Sequence, residues 1–382
     1  MKPGADGPRR PGYRQRRGVL GVHSSTEMNP SPINGFAAQM LERGAAGYAG
    51  FAAAALLDST PQAREAFGAD ALNVLKQSLT QRVLELAAAV TVADPRLFVA
   101  RVQWSTKAFR ARERDDSVVR LGLQSLRAVL AERLPEPARP VPLQYLDHAL
   151  DALLAPESGD GTFLDPQQPN DRLALRYLEK VLAGDSSGAI EDVVNATRDG
   201  LEMRAAYLEV LLPAQREIGR LWHLGQVNVA EEHLVTSATH RCMAVLAASA
   251  PRPGATNGKT AVVAAVATNT HDIGLRALAD LYQLAGWRAI FLGADVPADD
   301  LPSMLNYFQA DLLLLGATLT TQLPRVQQTI QNVRANSDKP PKIIVGGSAF
   351  DDSESTWRAI GADAYAGRVD EAVTIGARLV GA

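Results

Sequence analysis

The chain has 382 residues and is 46% hydrophobic, which is enough to bury the cores of two or three domains. Its 39 Lys and Arg residues nearly balance its 42 Asp and Glu residues, so the sequence excludes the overall basic field that holds nucleic acid. A single cysteine, Cys242, excludes an intramolecular disulfide framework and a cysteine-rich metal site, and it fits a reducing cytoplasm.

Residues 1–29 form a tail rich in Pro, Gly and Arg that has no apolar stretch typical of a signal peptide. We predict that this tail is disordered; contact of its basic residues with phosphate or acidic lipid is the alternative. No apolar run approaches the roughly 18 residues that span a bilayer. We therefore expect a cytoplasmic protein without a membrane partner.

Residues 30–156 carry apolar side chains at helical spacing, and no strand pattern interrupts them. Between positions 72 and 90, for example, the apolar residues make one broad helical face. Turn signals at Asp94-Pro95 and before Pro135 separate further helices. The pattern predicts an all-α unit in which no sequence suggests a catalytic site.

Residues 157–171 are rich in Pro, Gly and Asp and read as a linker. Residues 172–250 then return to helical spacing with short joints, which is typical of an antiparallel four-helix bundle. We call this predicted segment the cap bundle. Its four predicted helices are Leu173–Leu182, Ser187–Arg198, Arg204–Trp222 and Val229–Ala250.

Residues 257–382 change period, because short apolar runs alternate with helical segments. Strands that alternate with helices indicate right-handed βαβ units and a doubly wound parallel sheet of the flavodoxin-like kind. We call this segment the sheet domain. Its predicted strands are 260–266, 289–292, 311–315, 342–345 and 362–366.

The stretch TNTHDIG, residues 268–274, follows the first predicted strand and places His271 in the loop at its carboxyl end. In open parallel sheets, ligands bind at this edge, close to the point where the strand order reverses. A helix-capping or hydrogen-bonded surface histidine is the alternative interpretation of His271.

The motif spacing around His271 favours a cofactor site. Gly274 is separated by 42 residues from Ala317-Thr-Leu319 at the end of strand three, and 26 residues lie between Leu319 and Gly346-Gly347 at the end of strand four. The pattern resembles that of the cobalamin-binding domain family, Asp-x-His-x-x-Gly, then Ser-x-Leu, then Gly-Gly. The resemblance implies that His271 is the lower cobalt ligand, and that the cofactor's nucleotide tail is buried beside the sheet. The other implied binding residues are Asn269, Asp272, Ile273, Gly274, Ala317, Thr318, Leu319, Gly346 and Gly347.

Two positions depart from the family pattern. Asn269 replaces the acid that hydrogen-bonds the histidine, which weakens the expected tuning of the imidazole. Ala317 replaces the serine that meets the benzimidazole, and Thr318 or Thr320 is the expected substitute. The chemistry still fits, because neutral imidazole is a good ligand for cobalt, and glycines leave room for a nucleotide against the backbone.

The cap bundle carries a second motif, in which Trp222-His223 is followed by Glu232-His233. Gly225 fits the end of one helix and Asn228 the beginning of the next. Core packing of the tryptophan beside ordinary surface charges is the alternative. The motif resembles that of the CarH-type light-sensing cobalamin proteins. The resemblance implies adenosylcobalamin, with Trp222 and Glu232-His233 around the adenosyl group and His223 as the upper cobalt ligand after illumination.

The resemblance covers residues 172–382 and leaves the all-α unit unexplained. This unit lacks the strands and basic recognition helix of a MerR-type DNA-binding domain, so no direct DNA binding is expected. It is either an interaction platform or, by resemblance to the photocobilins, a globin-like holder of a bilin such as biliverdin. Without a cysteine in this unit, a bilin would be non-covalent. Candidate contacts are Trp104, Arg101, Arg110, Arg112 and His148, although arginines on a helix usually form a solvated face.

The leading functional hypothesis is a cobalamin-dependent photoreceptor that is a sensor rather than an enzyme. It is expected to signal by domain rearrangement, to a signalling protein or transcription regulator or through self-association as a homo-oligomer. The alternative is a corrinoid carrier that shuttles methyl groups for separate methyltransferases. A third hypothesis is a sensor of cobalamin itself that binds a transcription regulator. Trp287 and Trp357 are assigned to packing.

Overall fold

The computed structural model describes residues 32–60, 64, 67–111, 115–154, 162–250, 256–353 and 355–382. The predicted tail and the first part of the predicted linker lie outside the described residues, as does Arg112. Among the helices of the described ranges, none is both long and apolar enough to cross a lipid bilayer.

The all-α unit contains helices throughout its described residues. Its first helix, α1, is rich in alanine, the residue with the highest helix propensity, and its buried face consists largely of alanines. These small side chains let α2 pack closely along it, above a core that contains Leu86, Phe98 and Leu126. The five helices are α1 Pro32–Ser59, α2 Ala71–Thr91, α3 Pro95–Ala111, α4 Ser117–Arg133 and α5 Pro140–Ala152.

The cap bundle has four helices around its own apolar core. One of them, α8, contains a π-helical segment, Ala206–Leu211, that the sequence pattern did not predict. A π-helical segment shifts the side chains that follow it around the helix axis. It carries the fully buried Tyr207. The helices are α6 Pro169–Leu182, α7 Ser186–Arg198, α8 (Met203–Ala205, Ala206–Leu211 and Leu212–His223) and α9 Val229–Ser249.

The sheet domain has five parallel strands in the order β2-β1-β3-β4-β5, with helices between them. The predicted α and α/β fold class is therefore confirmed. The chain leaves β1 toward β2 on one side and later adds β3 on the other, so the order reverses beside β1. The strands are β1 Thr260–Val266, β2 Arg288–Val296, β3 Leu312–Gly316, β4 Lys342–Gly346 and β5 Ala364–Ala366. The helices are α10 Ile273–Leu284, α11 Leu301–Phe308, α12 Leu323–Asn336, α13 Thr356–Ala359 and α14 Val369–Val380.

The all-α unit packs on the carboxyl edge of the sheet, which the sequence did not predict. Helix α2 contacts the 3₁₀ turn Thr320–Gln322 that follows β3. Next to it, the Thr356 hydroxyl lies 3.4 Å from the buried carboxylate of Asp94, and Arg96 donates to the Ser353 hydroxyl at 3.3 Å. The edge where parallel sheets bind ligands is therefore bordered by a second domain of the same chain.

The cap bundle packs on helix α10 of the sheet domain. Tyr207 of the cap donates a hydrogen bond of 2.8 Å to the Asp280 carboxylate, and Ile273 packs against the cap core. Trp287 is buried and packs edge-to-face on Tyr282, with 5.0 Å between ring centroids. Trp357 packs against the larger apolar core, as the packing assignment expected.

Candidate functional site

The loop between β1 and α10 holds His271 at the carboxyl edge of the sheet. Asn269, only 1% exposed, donates to the Gly316 carbonyl oxygen at 3.0 Å and accepts from the His271 amide at 3.1 Å. Asn269 therefore fixes the backbone of His271 rather than its ring. The imidazole is exposed and has no hydrogen bond to another described residue, and Asp272 rather than His271 is the N-cap residue of α10. The capping alternative is thus not realised in this fold.

The backbone of this loop is strained beside the histidine. Thr268 and Asp295 have positive φ angles of 68° and 53°, and the Thr268 amide donates to the Asp295 carboxylate at 2.6 Å. Backbone strain of this kind persists where the surroundings over-determine the conformation, and it clusters at functional sites. Here strand β2 restrains the conformation of the loop. Asp295, which accepts from the Thr268 amide, belongs to this strand and follows its irregularity at Gly293.

Gln322 connects the loops after β1 and β3, and sequence reasoning missed it. Its side chain is buried, donates to the Thr268 carbonyl oxygen at 3.1 Å, and accepts from the Thr318 and Leu319 amides at 2.9 and 3.0 Å. One buried amide therefore holds both loops that flank the point where the strand order reverses. The only signal in the sequence was its place three residues after Leu319, inside the turn that follows β3.

The predicted residues after β3 lie close to the expected edge but differ in exposure. Ala317 is buried, Thr318 is half-buried, and the Leu319 side chain is 37% exposed. Thr320 is buried beneath the loop, so Thr318 is the better placed of the two threonines to face a ligand. The Ser348 hydroxyl donates to the Thr318 carbonyl oxygen at 2.9 Å and ties this loop to the one after β4.

Two of the three glycines of the motif are required by close backbone packing. A Cβ on Gly346 would lie 2.8 Å from the Ala366 carbonyl oxygen, and a Cβ on Gly347, where φ is 100°, would collide with the Ala317 carbonyl oxygen. Close backbone packing therefore requires both glycines, independently of any nucleotide. Gly274 is different, since a Cβ there would meet no atom within 4 Å. Only this third glycine leaves open space beside the His271 loop.

Helix α9 of the cap bundle reaches the same loop. His240 Nε2 lies 3.1 Å from the carboxylate of Asp272, the residue after His271. Glu232, Thr236 and His240 are spaced by four residues and share one face, so Glu232 lies about 12 Å along the axis from His240. Glu232 accepts from the Thr236 hydroxyl and contacts His233 Nδ1, both at 2.7 Å. The Glu232-His233 pair thus lies two turns above the point where the cap meets the His271 loop.

The turn between α8 and α9 is formed as predicted. Gly225 has a φ of 71° after the last turn of α8, and Asn228 makes a capping box with Glu231 at the start of α9. At the end of α8, Trp222 is half-buried and His223 is only 9% exposed. The two side chains therefore point toward the protein interior rather than to solvent.

Trp104 of the all-α unit contacts this end of the cap. Its ring stacks on the His223 imidazole with 4.0 Å between centroids at 29°, and its centroid lies 6.2 Å from that of Trp222. The Arg101 guanidinium lies 4.4 Å from the Trp104 centroid. Of the other residues predicted to contact a bilin, Arg110 pairs with Asp116 and His148 is exposed. The structure thus brings Trp104 to the cap bundle, and of the predicted group Arg101 lies beside it.

Burial and charge set the ionisation of two carboxyl groups at the domain contacts. Burial opposes ionisation of Asp94, but hydrogen bonds from Arg96 and Ser353 outweigh it and hold the pKa of this carboxyl below its usual range. Burial raises the pKa of Asp280, although the hydrogen bond from Tyr207 and the charge of Arg276 oppose that rise. The contact with the all-α unit therefore favours a charged carboxylate, whereas the contact with the cap disfavours one.

Comparison with known proteins identifies the family. A B12 binding domain model matches residues 259–375, and a second B12 binding domain model matches residues 173–247. The dimethylamine corrinoid protein 3 of Methanosarcina mazei is 32% identical over 126 residues, which are 32% of this chain and 73% of that protein. The chain belongs to the B12-binding family. The predicted resemblance to cobalamin-binding domains is confirmed.

Other members of the B12-binding family match over longer stretches. The HTH-type transcriptional repressor CarH of Myxococcus xanthus is 24% identical over 227 residues, which are 59% of this chain and 75% of CarH. A corrinoid protein of Desulfitobacterium hafniense is 23% identical over 208 residues, 53% of this chain and 95% of that protein. Among solved structures, the monomethylamine corrinoid protein of Methanosarcina barkeri is 19% identical with a TM-score of 0.48, covering 55% of this chain and 99% of that one.

The residues of this B12-binding protein fit a cobalamin. Among the described residues, no three or more His, Cys, Asp or Glu side chains form a group that could hold a bare metal ion. A corrin supplies the equatorial nitrogens itself, so the protein needs to add only axial ligands, and imidazole is a suitable one. His271 offers an exposed imidazole on a fixed backbone, beside the open space at Gly274. These features match what the lower side of a cobalamin requires.

Proposed function

We propose that this B12-binding protein is a cobalamin-dependent photoreceptor that holds adenosylcobalamin between the sheet domain and the cap bundle, and that it is a sensor rather than an enzyme. The contact between Trp104 and His223 carries this proposal. A methyl carrier must present the upper side of its cofactor to a separate enzyme. Here the end of the cap with Trp222 and His223 is contacted by another domain of the same chain.

In this proposal, the sheet domain and the cap bundle contact different parts of the cofactor. His271, on the backbone that Asn269 fixes, would bind the cobalt from the sheet side, and the loops after β3 and β4 would border the nucleotide tail. Adenosylcobalamin, when bound, supplies a cobalt–carbon bond that light breaks. Trp222 would pack on its adenosyl group, the Glu232-His233 pair would border that group, and His223 would bind the cobalt from the cap side after illumination.

Trp222 would drive a rearrangement once the adenosyl group is gone. It would then lack its packing partner, and a cavity left in a packed interior costs on the order of several kcal/mol. A difference of about 5.5 kcal/mol is enough to move a two-state equilibrium from one side to the other. The cap bundle therefore moves relative to the sheet domain, and the readout is a signalling protein, a transcription regulator or self-association of the chain.

A corrinoid methyl carrier is the second candidate, and the 32% identity to a dimethylamine corrinoid protein favours it. In that case the chain works with a separate methyltransferase, and the all-α unit must leave the cap before the partner docks. The carrier needs methylcobalamin and no light response. The two functions therefore differ in cofactor preference and in what light does.

The test is an absorption spectrum of the full chain, reconstituted in the dark with adenosylcobalamin or methylcobalamin and recorded before and after green light. We expect light to convert the adenosylcobalamin form into a bis-imidazole spectrum. His271→Ala is expected to give a base-off spectrum, whereas His223→Ala leaves the dark spectrum unchanged and alters only the illuminated product. His148→Ala, an exposed histidine of the all-α unit, is the matched control.

If bound adenosylcobalamin is photolysed no differently from the free cofactor, the result points to the carrier. A light-independent change of shape on adding either cobalamin points to a cobalamin sensor. Two readouts complete the experiment. Small-angle scattering in dark and light reports rearrangement or self-association, and addition of biliverdin tests the bilin, which stays a prediction, by a band beyond about 600 nm.

A further inference from the structure

Helix α3 of the all-α unit contacts both domains that border the cobalamin site. At its start, Asp94 and Arg96 contact Thr356 and Ser353 of the sheet domain. Trp104 follows ten residues after Asp94, which is about 15 Å along a helix axis. At that height it stacks on His223 of the cap bundle. One helix therefore contacts the sheet domain near its start and the cap bundle further along.

The lower end of α3 is firmly anchored. Asp94 is 5% exposed and accepts hydrogen bonds from Arg96 Nε at 2.9 Å and Nη2 at 2.7 Å. Leu97 and Phe98, in the first turn, are fully buried in the core that the all-α unit shares with one face of the sheet. Movement of this end would break buried hydrogen bonds and expose apolar surface.

The surroundings of Trp104 hold its indole in place from within the all-α unit. Arg101, one turn earlier on α3, lies over the indole and 3.8 Å from the carboxylate of Glu85 on α2. Glu85 also pairs with Arg82 at 2.5 Å, and Arg82 donates to the Ser105 hydroxyl at 2.5 Å. Arg82 and Glu85 are both buried, so this network is rigid, and it fixes the residues on either side of Trp104.

The stacked geometry suits a metal ligand. Stacking uses the face of the imidazole, whereas the lone pair that binds a metal lies in the plane of the ring and leaves from its edge. When Trp104 stacks on one face of the His223 ring, it restricts the ring's orientation. The nitrogen lone pairs at the ring edge are still available to bind a metal. Loss of the stack would remove one restraint on the side-chain torsions of His223, and fewer of its orientations would suit a metal.

We propose that Trp104 is a positioning residue that fixes the plane of the His223 imidazole, so that the all-α unit controls how His223 approaches the upper cobalt position. The inference rests on the proposed assignment of His223 as upper ligand. The proposal implies that His223 couples the cobalt to the all-α unit through Trp104. When His223 binds or leaves the cobalt, either helix α3 moves with it or the stack of Trp104 on His223 breaks.

The test needs no light, which separates it from the test of the photoreceptor. The full chain is reconstituted in the dark with hydroxocobalamin, and the fraction with a bis-imidazole spectrum is measured for the wild type and variants. Trp104→Leu keeps an apolar side chain but removes the planar face, and we expect the ratio of His223-ligated to unligated cofactor to fall by about two- to tenfold. Trp104→Phe keeps a planar face and is expected to stay within about twofold of the wild type. Phe51→Leu, an exposed aromatic under Arg133 in the same unit, is the matched control and should change nothing.

The outcomes distinguish the two proposals. A spectrum of Trp104→Leu equal to that of the wild type, while His223→Ala differs from both, overturns the positioning role and leaves the photoreceptor standing. Equal spectra of the wild type and His223→Ala would show that His223 does not bind the cobalt, which overturns the inference. The photoreceptor proposal is then tested separately, by the light response of the adenosylcobalamin form. An equal fall of the bis-imidazole fraction in Trp104→Phe and Trp104→Leu also contradicts the positioning role. Phenylalanine keeps a planar face and should therefore preserve ligation by His223.

Discussion

Tyr207 makes a buried polar contact between the cap bundle and the sheet domain, and removal of its hydroxyl group tests how strongly this contact holds the two together. The side chain is fully buried, and its single hydroxyl proton lies between Asp280 Oδ2 at 2.8 Å and the Met243 carbonyl oxygen at 3.1 Å. The π-helical segment Ala206–Leu211 directs this side chain. Tyr207→Phe removes the hydroxyl and keeps the ring.

The expected loss depends on the charge of Asp280. A hydrogen bond to a charged group contributes about 1.5–3 kcal/mol, against about 1 kcal/mol for a neutral pair. Tyr207→Phe should therefore lower the free energy of unfolding by about 2–3 kcal/mol at pH 7.5, and by about 1 kcal/mol in an Asp280→Asn background. Because burial raises the pKa of Asp280 in the folded state, its ionisation costs stability as the pH rises through that pKa. Asp280→Asn alone should thus make the protein more stable at pH 7.5 than the wild type.

The assay is urea unfolding of the four proteins of this double-mutant cycle at pH 7.5, followed by far-ultraviolet circular dichroism. Tyr177→Phe is the matched control, because the Tyr177 hydroxyl is equally buried but meets the neutral Thr239 hydroxyl at 3.0 Å. We expect about 1 kcal/mol for the control and a coupling energy of about 1–2 kcal/mol in the cycle. An equal loss from Tyr207→Phe in both backgrounds, or a loss no larger than that of the control, would refute the reasoning.

Three further predictions test other contacts. The pKa of Asp94 is lowered in the fold, so its contribution to stability should be complete above pH of about 4 and be lost as the pH falls through the folded-state pKa, a loss that Asp94→Asn abolishes in acid unfolding curves. Gly347→Ala should lower the free energy of unfolding by more than about 2 kcal/mol through strain and collision with Ala317, whereas Gly274→Ala, which meets open space, should cost under about 1 kcal/mol in the same urea titration. Burial raises the pKa of the Cys242 thiol to about 12, so a thiol reagent at pH 8 should label it only in urea, and rapid labelling of the native protein would contradict this burial.

The sheet domain was predictable because its signals are local. Apolar runs such as Thr260–Val266 alternate with helical spacing, and right-handed crossovers then leave few strand orders. The end of β2 was not predicted, since Gly293 and Asp295 do not resemble strand residues and the strand continues past a bulge. The π-helical segment of α8 was also missed. Its sequence has ordinary helical spacing, and the Tyr207 side chain on this segment contacts Asp280, which lies 73 positions away in the chain.

The site was predictable only in part, because some of its residues are defined by a local motif and others by contacts between distant elements. His271 follows from a short motif at a strand end, but the task of Asn269 does not, because its partner Gly316 belongs to another strand. The contact between Trp104 and His223 is further removed, since it joins two domains that are far apart in the sequence. Periodicity reports which face of an element is apolar and says nothing about which distant element covers it. The spacing between motifs indicated the cofactor class, whereas the contact of the all-α unit with the cap required the fold.

The attachment of α3 at two points bears directly on the choice between photoreceptor and carrier. If the upper side of the cofactor faces His223, as proposed, access to it requires the all-α unit to leave the cap, which breaks the stack of Trp104 on His223. If the unit leaves as a rigid body, it also breaks the buried contact of Asp94 with Thr356 and uncovers the apolar surface that it shares with the sheet. A carrier would need the free energy of separating these domains in every methyl-transfer cycle. In a sensor, the same free energy would be part of the difference between its two states. In the proposed photoreceptor, the same contacts that impede a docking enzyme would connect a change at the cobalt to the all-α unit.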